Sequence, residues 1–468
     1  MKEQKVIRLK SVTKKNKYEI DMCNGSLMDK LISFSLPLML SGILQLLFNA
    51  VDIIVVGRFT GRQALAAVGS TTALINMFVN LFIGISLGAN VLAARFFAAK
   101  KEREMSETVH TAIAFALVSG IGMAFIGVAF ARTALELMGT PDDVIQLSAL
   151  YMRLYFCGMP FFMLYNYGAA ILRAIGDTKR PLLFLVIAGV ANVALNLLLV
   201  IVFHLGVAGV AIGTIISQMI SSILVLRCLC KAEASYRLHF SKLSIKGVYM
   251  KQIFKVGIPA GIQSTVINFS NVLLQSSVNS FGSTAMAGYT AANNIFGFLY
   301  ASANSITQAC MSFTSQNYGA GKWKRIDRVV VDCMALTVVI MLALGGGAYV
   351  FGHQLLGIYT SDAEVIACGM EILLYTTVTY FLCGLMDLFP GAMRGMGYSL
   401  VPMIISIIGT VGLRIVWIFW VFPKNRSLDV LFISYPASWI LTILMQLACF
   451  WFVRKKVFRK LRSEYKPR

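Results

Sequence analysis

Acidic side chains are scarce in this sequence: 21 Asp and Glu stand against 42 Lys and Arg, and charged residues make up only 13% of the 468. With 57% hydrophobic residues and a mean hydropathy of +0.74, so little charge excludes a water-soluble globule, in which about 25% of residues are charged. Nine cysteines are scattered through apolar stretches, and the one tight pair, Cys228 and Cys230, has no second pair nearby, which argues against a disulfide framework or a zinc site. The four histidines, His110, His204, His239 and His353, are isolated in the chain and offer no spaced ligand set. No nucleophile elbow, phosphate loop, HExxH pattern or pair of carboxylates at a common depth occurs, so neither an enzyme nor a bound metal or other cofactor is expected.

What the chain has in quantity is long apolar runs. A membrane-crossing helix needs about 20 mostly apolar residues. Runs of that order lie at about 31–56, 64–92, 108–131, 146–172, 181–203 and 207–226, and again at 252–280, 284–314, 329–352, 364–393, 400–422 and 430–453. The pattern predicts an all-α polytopic membrane protein with twelve transmembrane helices and membrane lipid as its surroundings. The first run is too long for a signal-peptide core and lacks a small-residue cleavage site, so a retained helix is expected.

The net charge of +21 would suit nucleic acid if it lay on one soluble face, but Lys and Arg sit in the connectors between runs. Placing the N-terminus inside collects 35 of the 42 on the cytoplasmic side and leaves only Arg58, Arg62, Arg132, Lys424 and Arg426 outside. By the positive-inside rule both termini are cytoplasmic, the plasma membrane is the expected location, and nucleic acid is not an expected partner. The expected divisions are a basic N-terminal segment at 1–30, a six-helix lobe at 31–226, a basic connector at 227–251, a second six-helix lobe at 252–453 and a basic tail at 454–468.

The halves repeat. Leu172-Arg173-Ala174-Ile175-Gly176-Asp177-Thr178-Lys179-Arg180-Pro181 aligns with Met393-Arg394-Gly395-Met396-Gly397-Tyr398-Ser399-Leu400-Val401-Pro402, with Arg, Gly and Pro matched at a shift of 221. Gly61, Ala64 and Ala66 match Gly282, Ala285 and Ala287 at the same shift, and Pro37 and Asn49 match Pro259 and Asn271 at 222. An even number of spans per half makes the two repeats parallel, related by an axis along the membrane normal. Transporters built this way carry their substrate site between the repeats and expose it alternately to each side.

Polar residues inside the runs point to that site. Ser41, Gln45, Asn49 and Asp52 form a helical stripe in the first run, and Ser264, Asn268, Asn271, Gln275 and Asn279 form one in the seventh. Thr72, Asn76 and Asn80, and Asn304 with Gln308, continue the theme in the second and eighth. Such stripes either line a water-filled cavity or bond helix to helix. Asp52 is the costly member, since an ionised Asp at mid-membrane costs roughly 2.5–3.5 kcal/mol. Asn192 and Asn196, one turn apart in the fifth run, reach the same outer depth, and a carboxyl group among amides with no fixed cation is a candidate proton carrier.

In the tenth run Asp387 is the repeat mate of Asn166, which would let the two face each other across a cavity suited to a cationic substrate. A charge partnership with Arg414, or a side chain reaching the cytoplasmic surface, is the alternative. Met159, Phe161, Phe162, Met163, Tyr165 and Tyr167 crowd the fourth run, and pliable Met and flat aromatic faces suit planar cations. The expected cavity residues are thus Gln45, Met163, Asn166, Tyr167, Asn268, Asn271, Gln275, Asn304, Gln308 and Asp387, with Asp52, Asn49, Asn192 and Asn196 as the ion-coupling group.

The two parallel sixes, the Arg-to-Pro loop in both, Ala66-Ala67-Val68-Gly69 and Gly206-Val207-Ala208-Gly209-Val210-Ala211-Ile212-Gly213-Thr214 resemble the multidrug and toxic compound extrusion (MATE) family over about residues 27–455. The resemblance implies a V-shaped pair of lobes, functional as a monomer, exporting small amphipathic, often cationic compounds in exchange for protons or sodium. It assigns Asp52 as the first-span acid whose protonation is linked to rearrangement of the first helix, with Asn192 nearby. The chain departs from the family where an Asp often follows that Asn by four residues, here Asn196, and where some members carry Glu in the seventh span, here amides such as Asn268. A hard cation usually wants more than one carboxylate, so protons are expected ahead of sodium. The rival reading, a flippase for a lipid-linked saccharide or precursor, calls for a strongly basic cavity, for which Arg153 and Arg414 are the only intramembrane cations.

Overall fold

The computed structural model describes residues 18–464, and those residues form helices joined by short turns, with no strand among them. The basic residues expected before Tyr18 and after Glu464 lie outside the described residues. The first half comprises α1 (Met28–Phe59), α2 (Arg62–Ala98), α3 (Glu102–Leu137), α4 (Asp142–Cys157), α5 (Met159–Ala174), α6 (Lys179–Leu197) and α7 (Gly206–Cys230). The second comprises α8 (Gly247–Asn279), α9 (Ser283–Gly319), α10 (Trp323–Val350), α11 (Gly352–Gly357), α12 (Ala363–Thr377), α13 (Tyr380–Gly395), α14 (Leu400–Ser406), α15 (Leu413–Val416) and α16 (Leu428–Glu464).

Eight spans are single stretches long and apolar enough to cross a membrane, and the pairs α4–α5 and α12–α13 add two more, bent by 45° and 41°. The remaining two are α8 and α9, whose 33 and 37 residues are ample in length but diluted by amides and hydroxyls. The two bends fall at Gly158 and Thr379, positions related by the repeat shift of 221. Their local causes differ. Pro160 stands in the first turn of α5, whereas Thr376, Thr377 and Thr379 each turn a hydroxyl back onto a carbonyl four residues earlier, which bends a helix without proline.

Both described chain ends and the basic connectors lie at one end of the bundle, here called the basic face. The first helix of each half crosses to the other half there. Leu31, Phe34 and Leu38 of α1 pack into a core with Phe313, Phe389 and Phe450, and the Phe34 and Phe313 rings meet edge to face at 5.6 Å. Reciprocally, Met250 and Ile253 of α8 join the core of the first half, with Phe254 against Phe115 at 5.2 Å. Between helices in lipid, close backbone approach does the work that burial from water does elsewhere. It is achieved where Gly84 and Gly88 of α2 lie directly on Gly257 and Gly261 of α8, with no room for a Cβ.

A polar seam completes the closure. Ser312 donates to Asn90 Oδ1 at 3.1 Å, Ser315 to the Val91 carbonyl at 2.6 Å, and Gln316 to the Ala174 carbonyl at 2.7 Å. Further from the basic face the same four helices carry exposed Gln45, Asn49, Thr72, Asn76, Asn268, Asn293 and Asn294. The lobes therefore meet at the basic face and part toward the opposite one.

Residues 18–27 cross this closed end as a strap. Tyr236 donates to Glu19, Asn317 donates to the Met22 carbonyl at 3.1 Å, and Arg325 donates to the carbonyls of Met22, Asn24 and Gly25. Removing charged donors from several carbonyls at once costs roughly 1.5 kcal/mol or more. Arg325→Ala is accordingly expected to raise hydrogen exchange across residues 20–27 about tenfold, read by exchange mass spectrometry. Nearby, His110 and His239, isolated in sequence, stack at 6.1 Å, and the His239 N–H donates to His110 Nε2 at 3.0 Å. Glu107 joins the start of α3 to the interlobe connector, and the Lys246 ammonium holds its carboxyl down at about 2. That attachment persists through neutral and mildly acidic pH and is lost only as pH falls through this low value.

Candidate functional site

Asp52 points from the last third of α1 into the first lobe rather than into the space between lobes. Asn196 Nδ2 donates to Asp52 Oδ1 at 2.5 Å and to Asn192 Oδ1 at 3.3 Å, so both amide hydrogens are used. Asn192 and Asn196 are buried, Asp52 partly so. Two glycines make the approach possible. Gly189 of α6 lies flat on the Phe48 ring of α1, and Gly213 of α7 leaves room for Asn196 Oδ1, which has no hydrogen-bond partner among the described residues. Gly213 belongs to the stretch that opens the sixth span, and a Cβ there would displace the amide from the carboxylate.

No cation pairs with Asp52 among the described residues. Tyr151 and Tyr155 of α4 lie close enough to Asp52 to feel its charge. These tyrosines were not legible as site residues, because nothing in the fourth run distinguishes them from the packing aromatics around them. The π-helical turn Leu198–Val202 begins two residues beyond Asn196, and such widened turns recur at functional sites.

The other expected residues are dispersed. Gln45, Asn49 and Asn268 are exposed on the parted side of the lobes, and Asn304 and Gln308 are half-buried on α9. Gln275 is tied to Asn279 at 3.0 Å, and Asn166 donates to the Phe162 carbonyl of its own helix at 2.8 Å. Met163 and Tyr167 are fully buried in the first lobe's core, and neither faces open space.

Asp387 feels the charge of Arg394, two helical turns along α13, while Arg394 itself donates to Gln263 of α8 at 2.7 Å. Arg414 is engaged elsewhere. Its Nη1 donates to Asn271 at 3.0 Å, its Nε to Ser438 at 3.4 Å, and its guanidinium stacks 4.3 Å over the Tyr435 ring. No ion pair joins Asp387 to Arg414 among the described residues, and Arg394 is added as a buried cation at the end of α13, beyond the run boundary read from the sequence. Arg153, by contrast, is exposed.

Two parallel six-span lobes, joined at one face and parted at the other, define a membrane transporter built from parallel repeats. The MatE family profile matches residues 37–198 and again 259–420, two segments offset by 222 residues at both ends, which is the repeat visible in the sequence. The chain belongs to the MATE family of membrane transporters. It is 31% identical over 434 residues to the probable multidrug resistance protein YoeA of Bacillus subtilis (strain 168), covering 90% of this chain and 93% of that one. It is 21% identical over 378 residues to the multidrug export protein MepA of Staphylococcus aureus (strain NCTC 8325 / PS 47), covering 81% and 84%. Among solved structures, an outward-facing multidrug resistance MATE family transporter of the MOP superfamily superposes with a TM-score of 0.86 at 20% identity, over 96% of this chain and 99% of that one.

Proposed function

We propose that this protein is a multidrug efflux antiporter of the plasma membrane, acting as a monomer, that exports amphipathic, cationic compounds in exchange for protons. The names of its relatives support the efflux of multiple compounds, and the basic face is taken as cytoplasmic from its charge. The observation that carries the coupling is Asp52 held by the Asn196 amide with no cation among the described residues paired to it. An ionised carboxylate accepts from Asn196 Nδ2. Once protonated it can donate to an amide oxygen instead, and Asn196 Oδ1, which has no partner among the described residues, is available if the amide flips. The contact between α1 and α6 can therefore be made in two ways that differ in proton content, and a helix whose position follows that choice couples proton entry to lobe movement.

One carboxylate with two amides is a poor cage for sodium, which favours the proton. The flippase reading needs cations directed at the space between lobes, whereas Arg394 and Arg414 are turned onto Gln263 and Asn271. The test is ethidium transport by the full chain in inverted membrane vesicles with an imposed proton or sodium gradient. Accumulation under the proton gradient, abolished when the gradient is collapsed and indifferent to sodium, is the expected result. Transport that follows the sodium gradient alone would overturn the proton assignment, and absence of gradient-driven transport across a panel of cations would favour the flippase.

A further inference from the structure

Among the described residues, a side-chain to side-chain hydrogen bond joins the first and fifth spans of each lobe, beside a Ser399 hydroxyl that donates to the Val256 carbonyl at 2.7 Å in the second, and the two side-chain ties differ in chemistry. In the first lobe Asn196 of α6 donates to Asp52 of α1. In the second, Arg414 of α15 donates to Asn271 of α8. The repeat places Asp52 at Leu274 and Asn196 at Trp417, so the second tie uses residues three positions earlier on both helices, one helical turn nearer the basic face. The correspondence extends to the backbone. A π-helical turn, Trp417–Val421, begins three residues after Arg414, as Leu198–Val202 begins two residues after Asn196.

The first tie contains a titratable acid, whereas guanidinium groups do not lose their proton in the physiological range. Arg414 is also anchored on more sides than Asp52. It is 3% exposed, bonded to Ser438 and stacked on Tyr435 of α16, whose hydroxyl lies 3.4 Å from that of Tyr289 on α9. The other polar or titratable group that feels its charge is Cys383 of α13, which also feels Asp387. No acid pairs with Arg414 among the described residues, so no protonation event within this cluster would release it. A charged side chain kept inside the membrane without a counter-ion marks a position with a task.

We infer that Arg414 is a positioning residue that pins the outer half of α8 to the second lobe at every working pH, so that this lobe moves as one body while α1 alone rearranges. The inference rests on the Asp52 reading for the contrast between lobes, but the pin itself can be read at a single pH. Hydrogen exchange is measured on the full chain in lipid nanodiscs at pH 8 for peptides covering residues 265–279. Arg414→Gln, and separately Asn271→Ala, which leaves the arginine on Tyr435, are each expected to raise exchange there at least tenfold. Arg414→Lys should restore part of the protection, since it keeps the charge but not the fork.

In gradient-driven transport, Arg414→Gln should lower the maximal rate several-fold with KM changed less than twofold. Unchanged exchange in both Arg414→Gln and Asn271→Ala would overturn the pin. A rise in KM at constant rate would overturn the positioning role too, by placing Arg414 on the substrate. Parent protein compared at pH 6 and pH 8 separates the two readings. Exchange in residues 43–57 is expected to change while 265–279 stays constant. A static α1 counts against Asp52 alone, and a mobile α8 counts against Arg414.

Discussion

Replacing Asp52 by asparagine is expected to yield a protein at least as stable as the parent that no longer couples an ion gradient to efflux. The substitution is nearly isosteric, and an amide at position 52 can still accept from Asn196 Nδ2 through its oxygen, so the α1–α6 contact survives. It removes an ionisable group from a site where charge costs roughly 2.5–3.5 kcal/mol, so thermal stability in detergent should hold or rise wherever the parent's Asp52 is ionised. Gradient-driven ethidium transport should fall by about a hundredfold or more, because a ligand that no longer distinguishes two states cannot shift them. Substrate binding at equilibrium should change little. Efflux that kept its pH dependence in this variant would remove Asp52 from the mechanism.

The second large effect is steric and lies at the opposite end of the same machine. Gly257 sits where a Cβ would come within 2.5 Å of the Ile85 Cα and 2.7 Å of its carbonyl oxygen, both backbone atoms of the other lobe. No rotamer change relieves such a clash, so Gly257→Leu must push α2 and α8 apart. Overpacking of this kind costs typically 1–3 kcal/mol, and here the cost falls only on the state in which the lobes meet at the basic face. At about 1.4 kcal/mol per factor of ten, the equilibrium should move about 5- to 100-fold toward the state parted at that face. Spin labels on the basic ends of α2 and α9 should report a longer mean distance, and transport should slow in proportion. Gly346→Ala is the control, since among the described residues no atom beyond its own turn of helix lies within 4 Å of the added methyl, and it should transport normally. Equal transport by the leucine variant and the control would show that this crossing does not have to close.

The same two sites show how far the chain can be read without coordinates. Asp52, Asn192 and Asn196 could be placed at one depth because apolar runs set depth residue by residue and the i, i+4 spacing sets the face. The structure brings the three together at hydrogen-bond distance. Depth says nothing about azimuth, however, and that is where the expectations for Met163 and Tyr167 part from the structure. Both lie on a run rich in Met and aromatics, and rotation of α5 about its axis turns them into the lobe's core. Asn271 and Arg414 were both visible as intramembrane polar residues, but they lie 143 positions apart and nothing local joins them.

The exchange of α1 and α8 between lobes is a stronger instance. Phe34 and Ile253 look like ordinary residues of the first span of their own half, yet each packs in the other. What the amino-acid order determined by itself was the number of spans, their repeat, their polarity and the depth of each polar side chain, because lipid imposes a length and a transfer cost on every segment independently. What only the tertiary structure decided was which faces meet: the glycine crossing at the basic face, the strap of residues 18–27 across it, and the Arg414–Asn271 tie in one lobe beside the Asn196–Asp52 tie in the other. Those choices depend on helix rotation and close backbone approach between segments far apart in the chain, and lipid is nearly indifferent among such arrangements until side chains interlock.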